Sequence, residues 1–339
     1  MSLSKPVEFS VLELASLKDT ESDASVALQR ALQTAKHVEQ LGFKRFWVAE
    51  HHNMEAIASS ATTVLMGYLA AGTEQIKIGS GGIMLPNHAP LVVAEQIGTL
   101  ATLYPNRIEL GLGRAPGTDP LTARALRRHL DTDPESFPND VTELQKLLGP
   151  KQAGQKIIAM PGINTNVPIW LLGSSLFSAQ LAAARGLPYS FASHFAPRFM
   201  MQAIEVYRSQ FQPSATLAKP KVMLGVPLVV AATDEEAEFL ASTTYQRVVS
   251  LFRGQGLHLR PPTKKVKETW SLQEQQGVSD FLSMAMIGSQ ATVKEKLKTL
   301  LHHTQADELI FTCDLYKIED RLLSFDLINE IKSHLNQID

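Results

Sequence analysis

Short runs rich in β-branched and aromatic residues alternate with segments of helical apolar spacing from one end of the chain to the other. That alternation is the pattern of repeated βα units around a parallel sheet, the most restrictive feature of the sequence. The expected strands are Glu8 to Leu14, Phe43 to Ala49, Ile76 to Gly79, Arg107 to Leu112, Pro168 to Leu172, Tyr189 to Ser193, Val222 to Ala231 and Glu308 to Thr312. Eight is the number that closes a (β/α)8 barrel. A barrel runs to about 250 residues and passes 400 with insertions, so a chain of 339 residues reads as a single domain, 1–339.

Between the strands, Leu28, Ala31, Leu32 and Ala35 repeat at helical spacing, as do Met200, Ala203, Ile204, Tyr207 and Phe211. Ala237, Leu240, Ala241, Thr244, Val248 and Leu251 share the face of a longer helix, opened by a Thr233 to Glu236 capping box and stopped at Gly254. Gly42, Gly72, Gly149 and Gly186 follow helical runs, where a positive φ is expected to close the last turn. Two stretches break the rhythm, Arg114 to Pro138 after the fourth strand and Gly254 to Gly288 after the seventh helix. They read as insertions, candidate lids over the barrel mouth.

Composition excludes several classes of protein. With 32 basic and 34 acidic side chains the net charge is -2, and no block of like charge invites nucleic acid or an anionic membrane. No apolar run approaches the roughly 18 residues that a membrane helix needs, and the start lacks an apolar leader core. The single cysteine, Cys313, excludes internal disulfides and agrees with a cytoplasmic location.

In such a barrel the reactive groups lie where strands end and the βα loops converge. Those ends carry Glu13; Glu50, His51, His52 and Asn53; Gly81, Gly82, Asn87 and His88; Gly111, Gly113 and Arg114; Gly173, Ser174 and Ser175; His194; and Cys313 with Asp314. Four of the 10 histidines thus fall on one rim, suited to acid-base work or to a metal, while any one alone is equally a hydrogen-bonded rim residue. Strand alternation puts Glu50 and His52 on one face and His51 on the other, so Glu50 and His52 form a ligand pair with His88 or His194 as a third. No HxH or HxxxH pair accompanies them, and no resident metal is expected.

Gly111, Gly113 and Gly117 make a poor dinucleotide fingerprint, because the third glycine is misplaced and Pro116 and Pro120 follow where that motif opens a helix. Arg114 is a candidate phosphate clamp or a surface ion-pair former. Ser174, Ser175 and Ser178 straddle a helix start, where free amides favour an anion or serine simply caps.

The ordered set FWVAEHHN, IKIGSGGIMLPNHAP, RIELGLGRAPGTD, PIWLLGSS and ARGLP resembles the luciferase-like flavin monooxygenases, most closely from Phe46 to Asp119 and from Pro168 to Pro188. The resemblance implies reduced FMN, supplied by a separate reductase, acting with O2 on a small organic substrate. It implies that Arg114 with Ser175, Leu176 and Ser178 holds the FMN phosphate, and that Gly81 and Gly82, joined by a cis peptide, underlie the isoalloxazine ring. His51 corresponds to the family's proposed base, with His194 and Glu13 as lesser candidates for moving protons. A homodimer through the second and third helices is also implied. Gly113 stands where the luciferase α chain has a reactive cysteine, which argues against light emission, and His88 falls one residue before the family's histidine. Three rivals remain: a deazaflavin-dependent dehydrogenase on the same barrel, a metal-dependent hydrolase using Glu50 and His52, and a flavin-binding protein without turnover.

Overall fold

The computed structural model describes residues 6–115, 117–126 and 136–335. Parallel strands β1 (Glu8–Glu13), β2 (Arg45–Val48), β3 (Lys77–Ser80), β5 (Ile108–Gly113), β6 (Ile169–Gly173), β7 (Tyr189–Phe191), β8 (Val222–Ala231) and β10 (Glu308–Thr312) pair in that order, and β10 closes on β8 with Glu308 opposite Met223. The eight strands expected from the sequence are the eight staves of a TIM barrel. Two short additions lie outside that scheme: β4 (Ile83–Met84), which pairs with the end of β5, and β9 (Met286–Ser289), which pairs with the second half of the long β8.

The helices that return the chain are α1 (Ala24–Gln40), α2 (Thr62–Ala71), α3 (Pro90–Leu103), α4 (Pro120–Leu126), α5 (Phe137–Leu148) and α6 (Leu176–Arg185). They continue with α7 (Met200–Gln210), α8 (Asp234–Phe252), α9 (Leu272–Phe281), α10 (Gln290–Thr304) and α11 (Ile318–Leu335). Among the described residues no helix is long and apolar enough to cross a membrane.

Strand alternation splits the core into two layers. Phe9, Val11, Phe46, Val48, Leu110 and Phe311 face outward into the strand–helix layer, which holds most of the buried apolar surface. Leu12, Trp47, Ala49, Trp170, Met223 and Ile310 form a second, smaller cluster inside the barrel. Below them, at the strands' N-terminal ends, Arg45 pairs with Glu109 at 2.5 Å and with Glu308 at 2.6 Å, and its guanidinium lies 4.7 Å from the Trp170 ring. Lys77 reaches Glu109 at 3.2 Å and Ser10 donates a short hydrogen bond to Glu308, so the floor of the barrel is a buried ionic plug.

Several local expectations need correction. Gly42, Gly186 and Gly254 do adopt positive φ, but Gly72 (φ -93) and Gly149 (φ -81) do not. Gly72 instead lies against Leu32, whose Cδ1 would be 2.4 Å from a Cβ there, so a larger residue requires that side chain to shift. The Thr233 hydroxyl accepts from the Glu236 amide at 3.1 Å, yet the Glu236 carboxylate turns to the Ala232 amide, leaving half a capping box. Leu251 ends its helix 38% exposed, outside the buried stripe. A short helix does open at Pro120, because Asp119 accepts from the amides of Leu121 and Thr122 and Pro at the first helical position needs no donor. Pro116 and residues 127–135 of the first insertion lie outside the described residues.

Candidate functional site

The EHH motif divides at the top of β2. Its two faces carry different chemistry. Glu50 and His52 turn away from the barrel axis: Glu50 Oε1 accepts from His52 Nε2 at 2.9 Å and from His88 Nε2 at 2.8 Å, while Oε2 accepts the Met84 amide at 3.1 Å. Burial pushes the Glu50 carboxyl up, but His88, then His52 and the Met84 amide outweigh it and hold the pKa below the ordinary carboxylate value. His194 does not join this group.

His51 faces the mouth. Its Nδ1 lies 3.4 Å from the Gly117 carbonyl and its amide donates to Ser59 O. Burial lowers its pKa; the Gly117 carbonyl and Glu50 oppose that, and the charges of Arg247 and His52 add to it. His194, at the exit of β7, occupies space that exists because β8 has a glycine there: a Cβ on Gly225 would lie 2.1 Å from His194 Nδ1. That nitrogen is buried and has no hydrogen-bond partner among the described residues. Burial pushes its pKa down to about 4, Asp314 opposing and His51 adding. Both imidazoles are therefore neutral near pH 7, able to accept a proton.

Glu13 is placed differently. One oxygen accepts the Ala15 amide at 2.7 Å and the other pairs with the buried guanidinium of Arg321 from α11 at 2.8 Å. Cys313 is buried and its thiol is pushed up to about 12 by burial, which removes it as a nucleophile at neutral pH.

Opposite the histidines, Arg114 at the end of β5 stacks its guanidinium 4.1 Å above the Phe177 ring in the first turn of α6. Among the described residues it has no carboxylate partner. A cation held at the positive end of a helix dipole is unfavourable unless an anion completes the arrangement. Ser175 caps α6 without a side-chain hydrogen bond, leaving the first amides, beginning with that of Leu176, without a side-chain acceptor. Ser178 is turned inward, its hydroxyl donating to Ser175 O at 2.8 Å and lying against Gly173, where a Cβ would meet it at 2.3 Å.

The peptide between Gly81 and Gly82 is cis. Gly82 is seated where a Cβ would lie 2.8 Å from Gly111 O, and a Cβ on Gly113 would lie 2.8 Å from Met84 Sδ. A thioether thus fills the space beside Gly113.

Sequence reasoning missed Arg247 and Arg321. Arg247 reaches from α8 to Asp314 at 2.8 Å and to Ser16 Oγ at 2.9 Å. Its signal was present: position 247 continues the 240, 244, 251 face of an otherwise apolar helical stripe, where a charge needs a buried partner.

A glycine-lined barrel mouth carries two neutral imidazoles and, at a helix start, a cation without a carboxylate partner among the described residues, an arrangement of the kind α/β-barrel enzymes carry at the C-terminal ends of their strands. The profile of the family described as luciferase-like monooxygenase matches residues 7–308. A "luciferase-like monooxygenase" of Escherichia coli strain K12 is 47% identical over 331 residues, 98% of each chain. Among solved structures, apo-MsnO8 superposes with a TM-score of 0.86 at 31% identity over 96% of this chain and 98% of that one. The oxygenating constituent of 3,6-diketocamphane monooxygenase from Pseudomonas putida, solved in complex with FMN, superposes with a TM-score of 0.72 at 16% identity over 96% and 97%. The chain belongs to the luciferase-like monooxygenases.

Proposed function

We propose that the protein is an FMN-dependent monooxygenase: it takes up reduced FMN from a separate reductase and uses O2 to oxidise a small organic substrate. The observation that carries this reading is the Arg114 guanidinium, without a carboxylate partner among the described residues and stacked at the first turn of α6, where a phosphate is the fitting ligand. Arg114, the Ser175 hydroxyl and the amide of Leu176 are the phosphate ligands; Ser178 supports them by fixing the Ser175 carbonyl. Gly81 and Gly82 form the surface under the ring, and FMN, when bound, supplies the redox chemistry. His51 acts as the base, and His194 is the second proton acceptor. Glu13 remains the lesser candidate for moving protons, and its ion pair with Arg321 ties it to α11.

The separate reductase belongs to this reading as what the family resemblance implies. A homodimer is part of the same reading. Val64 and Tyr68 on α2, with Val92 and Leu103 on α3, are apolar side chains 43–72% exposed, and two copies meeting there remove them from water.

The test is anaerobic titration of the protein with reduced FMN and, separately, with reduced riboflavin, followed by admission of air in the presence of a substrate panel that includes 3,6-diketocamphane. Preference for FMN over riboflavin and oxygen-dependent product are expected. Equal affinity for the two flavins refutes the phosphate site, and tighter binding of a deazaflavin assigns the protein to dehydrogenation instead.

A further inference from the structure

We propose that Glu50, His52 and His88 form a binding site for a first-row divalent transition metal, outside the flavin site and independent of the flavin reading.

Two imidazole Nε2 atoms converge on a single carboxylate oxygen, and the candidate ligand atoms of the three residues all lie within 4.8 Å of one another. A zinc-like ion about 2.0–2.2 Å from each of three such ligands sets them about 3.3 Å apart in a tetrahedron. The observed separations of 2.9 and 2.8 Å from Glu50 Oε1 reach that spacing with a few tenths of an ångström of side-chain movement.

Charge points the same way. Glu50 is 1% exposed, and the partners of its carboxylate are two histidines and the Met84 amide; among the described residues no lysine or arginine pairs with it. A buried carboxylate with no lysine or arginine beside it is costly, and a divalent ion offsets that cost directly. Access is open from one side, since the His52 and His88 side chains are 15% and 31% exposed. Two histidines and one carboxylate with room for solvent match an open three-ligand site of the kind that Zn²⁺, Co²⁺ or Fe²⁺ occupies. The sequence left the third ligand open between His88 and His194; His88, 36 positions beyond His52, is brought in through the turn after β4.

Such an ion ties the exit of β2 to the start of α3. It sits behind His51, on the opposite face of the motif, so it braces the loop that carries the proposed base without entering the mouth.

The experiment uses the full chain, stripped with a chelator and free of flavin, titrated with Co²⁺ while following its visible ligand-field absorption, with equilibrium dialysis for stoichiometry. Saturable binding of one Co²⁺ per chain is expected, with displacement by Zn²⁺ and a rise in the unfolding midpoint. Loss of an outer-shell partner alone costs 10- to 100-fold in metal affinity, so His52→Ala and His88→Ala should each weaken binding about 100-fold or more. His302→Ala is the control, since His302 and His303 are another adjacent histidine pair, with ring centroids 5.5 Å apart. Circular dichroism reports whether each variant folds. The wild-type titration stands alone: absence of saturable Co²⁺ binding overturns the proposal, as does binding that survives both His52→Ala and His88→Ala or disappears with His302→Ala.

Discussion

The floor and the mouth of this barrel are both lined with ionisable side chains, and they are arranged by opposite rules. At the floor the charges are matched in ion pairs: Arg45 holds Glu109 and Glu308, Lys77 adds to Glu109, Lys221 stands 4.0 Å from Glu308, and Trp47 and Trp170 seal the group from above. At the mouth, among the described residues, Arg114 has no carboxylate partner and His194 keeps a buried nitrogen without a hydrogen bond. Matched charges serve the fold, and an unmatched cation awaits an anion. The same contrast separates the stabilising bottom from the reactive top of barrels in general.

The contrast is broken most sharply by exchanging the consequences of substitution at its two ends. His51→Ala is expected to lower product formation by about 10²- to 10⁴-fold, the usual cost of losing a positioned base, while leaving the unfolding midpoint and reduced-FMN affinity close to wild type. Its single side-chain hydrogen bond is a long one of 3.4 Å, so little stability depends on it. Single-turnover product yield is the measurement. A mutant with wild-type yield transfers the role to His194.

Arg45→Ala should do the reverse. Stranding Glu109 and Glu308 without their guanidinium is expected to cost about 3–5 kcal/mol of stability, the penalty for removing one partner of a buried pair. Urea unfolding measures it, and the fraction that remains folded should bind reduced FMN normally. A loss under 1 kcal/mol would show that Lys77 and Lys221 suffice to neutralise the floor.

The barrel was legible from the chain because each strand's apolar run and each helix's apolar stripe are local signals. The extra strands β4 and β9 escaped for the converse reason: two and four residues long, they are held by pairing with β5 and β8 and carry little pattern of their own. For the site, alternation along β2 correctly separated His51 from Glu50 and His52. The choice of His88 over His194 as their partner, and the roles of Arg247 and Arg321, were beyond that reasoning, since these residues come from distant segments that only closure brings together. The resemblance to a family pointed to the turn at the start of α6; the structure shows that the Ser178 hydroxyl bonds to the Ser175 carbonyl and that the Ser175 side chain makes no capping hydrogen bond.

Arg114→Ala sharpens the comparison on the open side. Charge-assisted hydrogen bonds contribute about 1.5–3 kcal/mol, so FMN affinity should fall roughly tenfold or more while riboflavin affinity changes little. Stability should hold or rise slightly, because the substitution removes a cation from the positive end of α6. Equal weakening of both flavins would place the guanidinium against the ring instead of the phosphate.

The smallest effect expected concerns the pH dependence of stability, and it distinguishes a mouth kept neutral from a floor kept charged. His194 has its pKa pushed down to about 4 by burial, against an ordinary value near 6.5 when the chain is unfolded. Between those values the unfolded chain binds the proton and the folded chain does not, so stability must fall as pH drops through that window. His51, also lowered by burial, acts in the same direction. For His194 alone the loss between pH 6.5 and pH 5.5 is about 1 kcal/mol, levelling off below about pH 4 where both states are protonated. Replacing it with asparagine, which carries no titrating proton, should flatten that part of the curve by the same amount. Urea unfolding of wild type and His194→Asn at several pH values between 4 and 7 makes the comparison. If the two curves stay parallel, the folded chain takes the proton as readily as the unfolded one, and the imidazole at the barrel mouth is solvated and not held neutral.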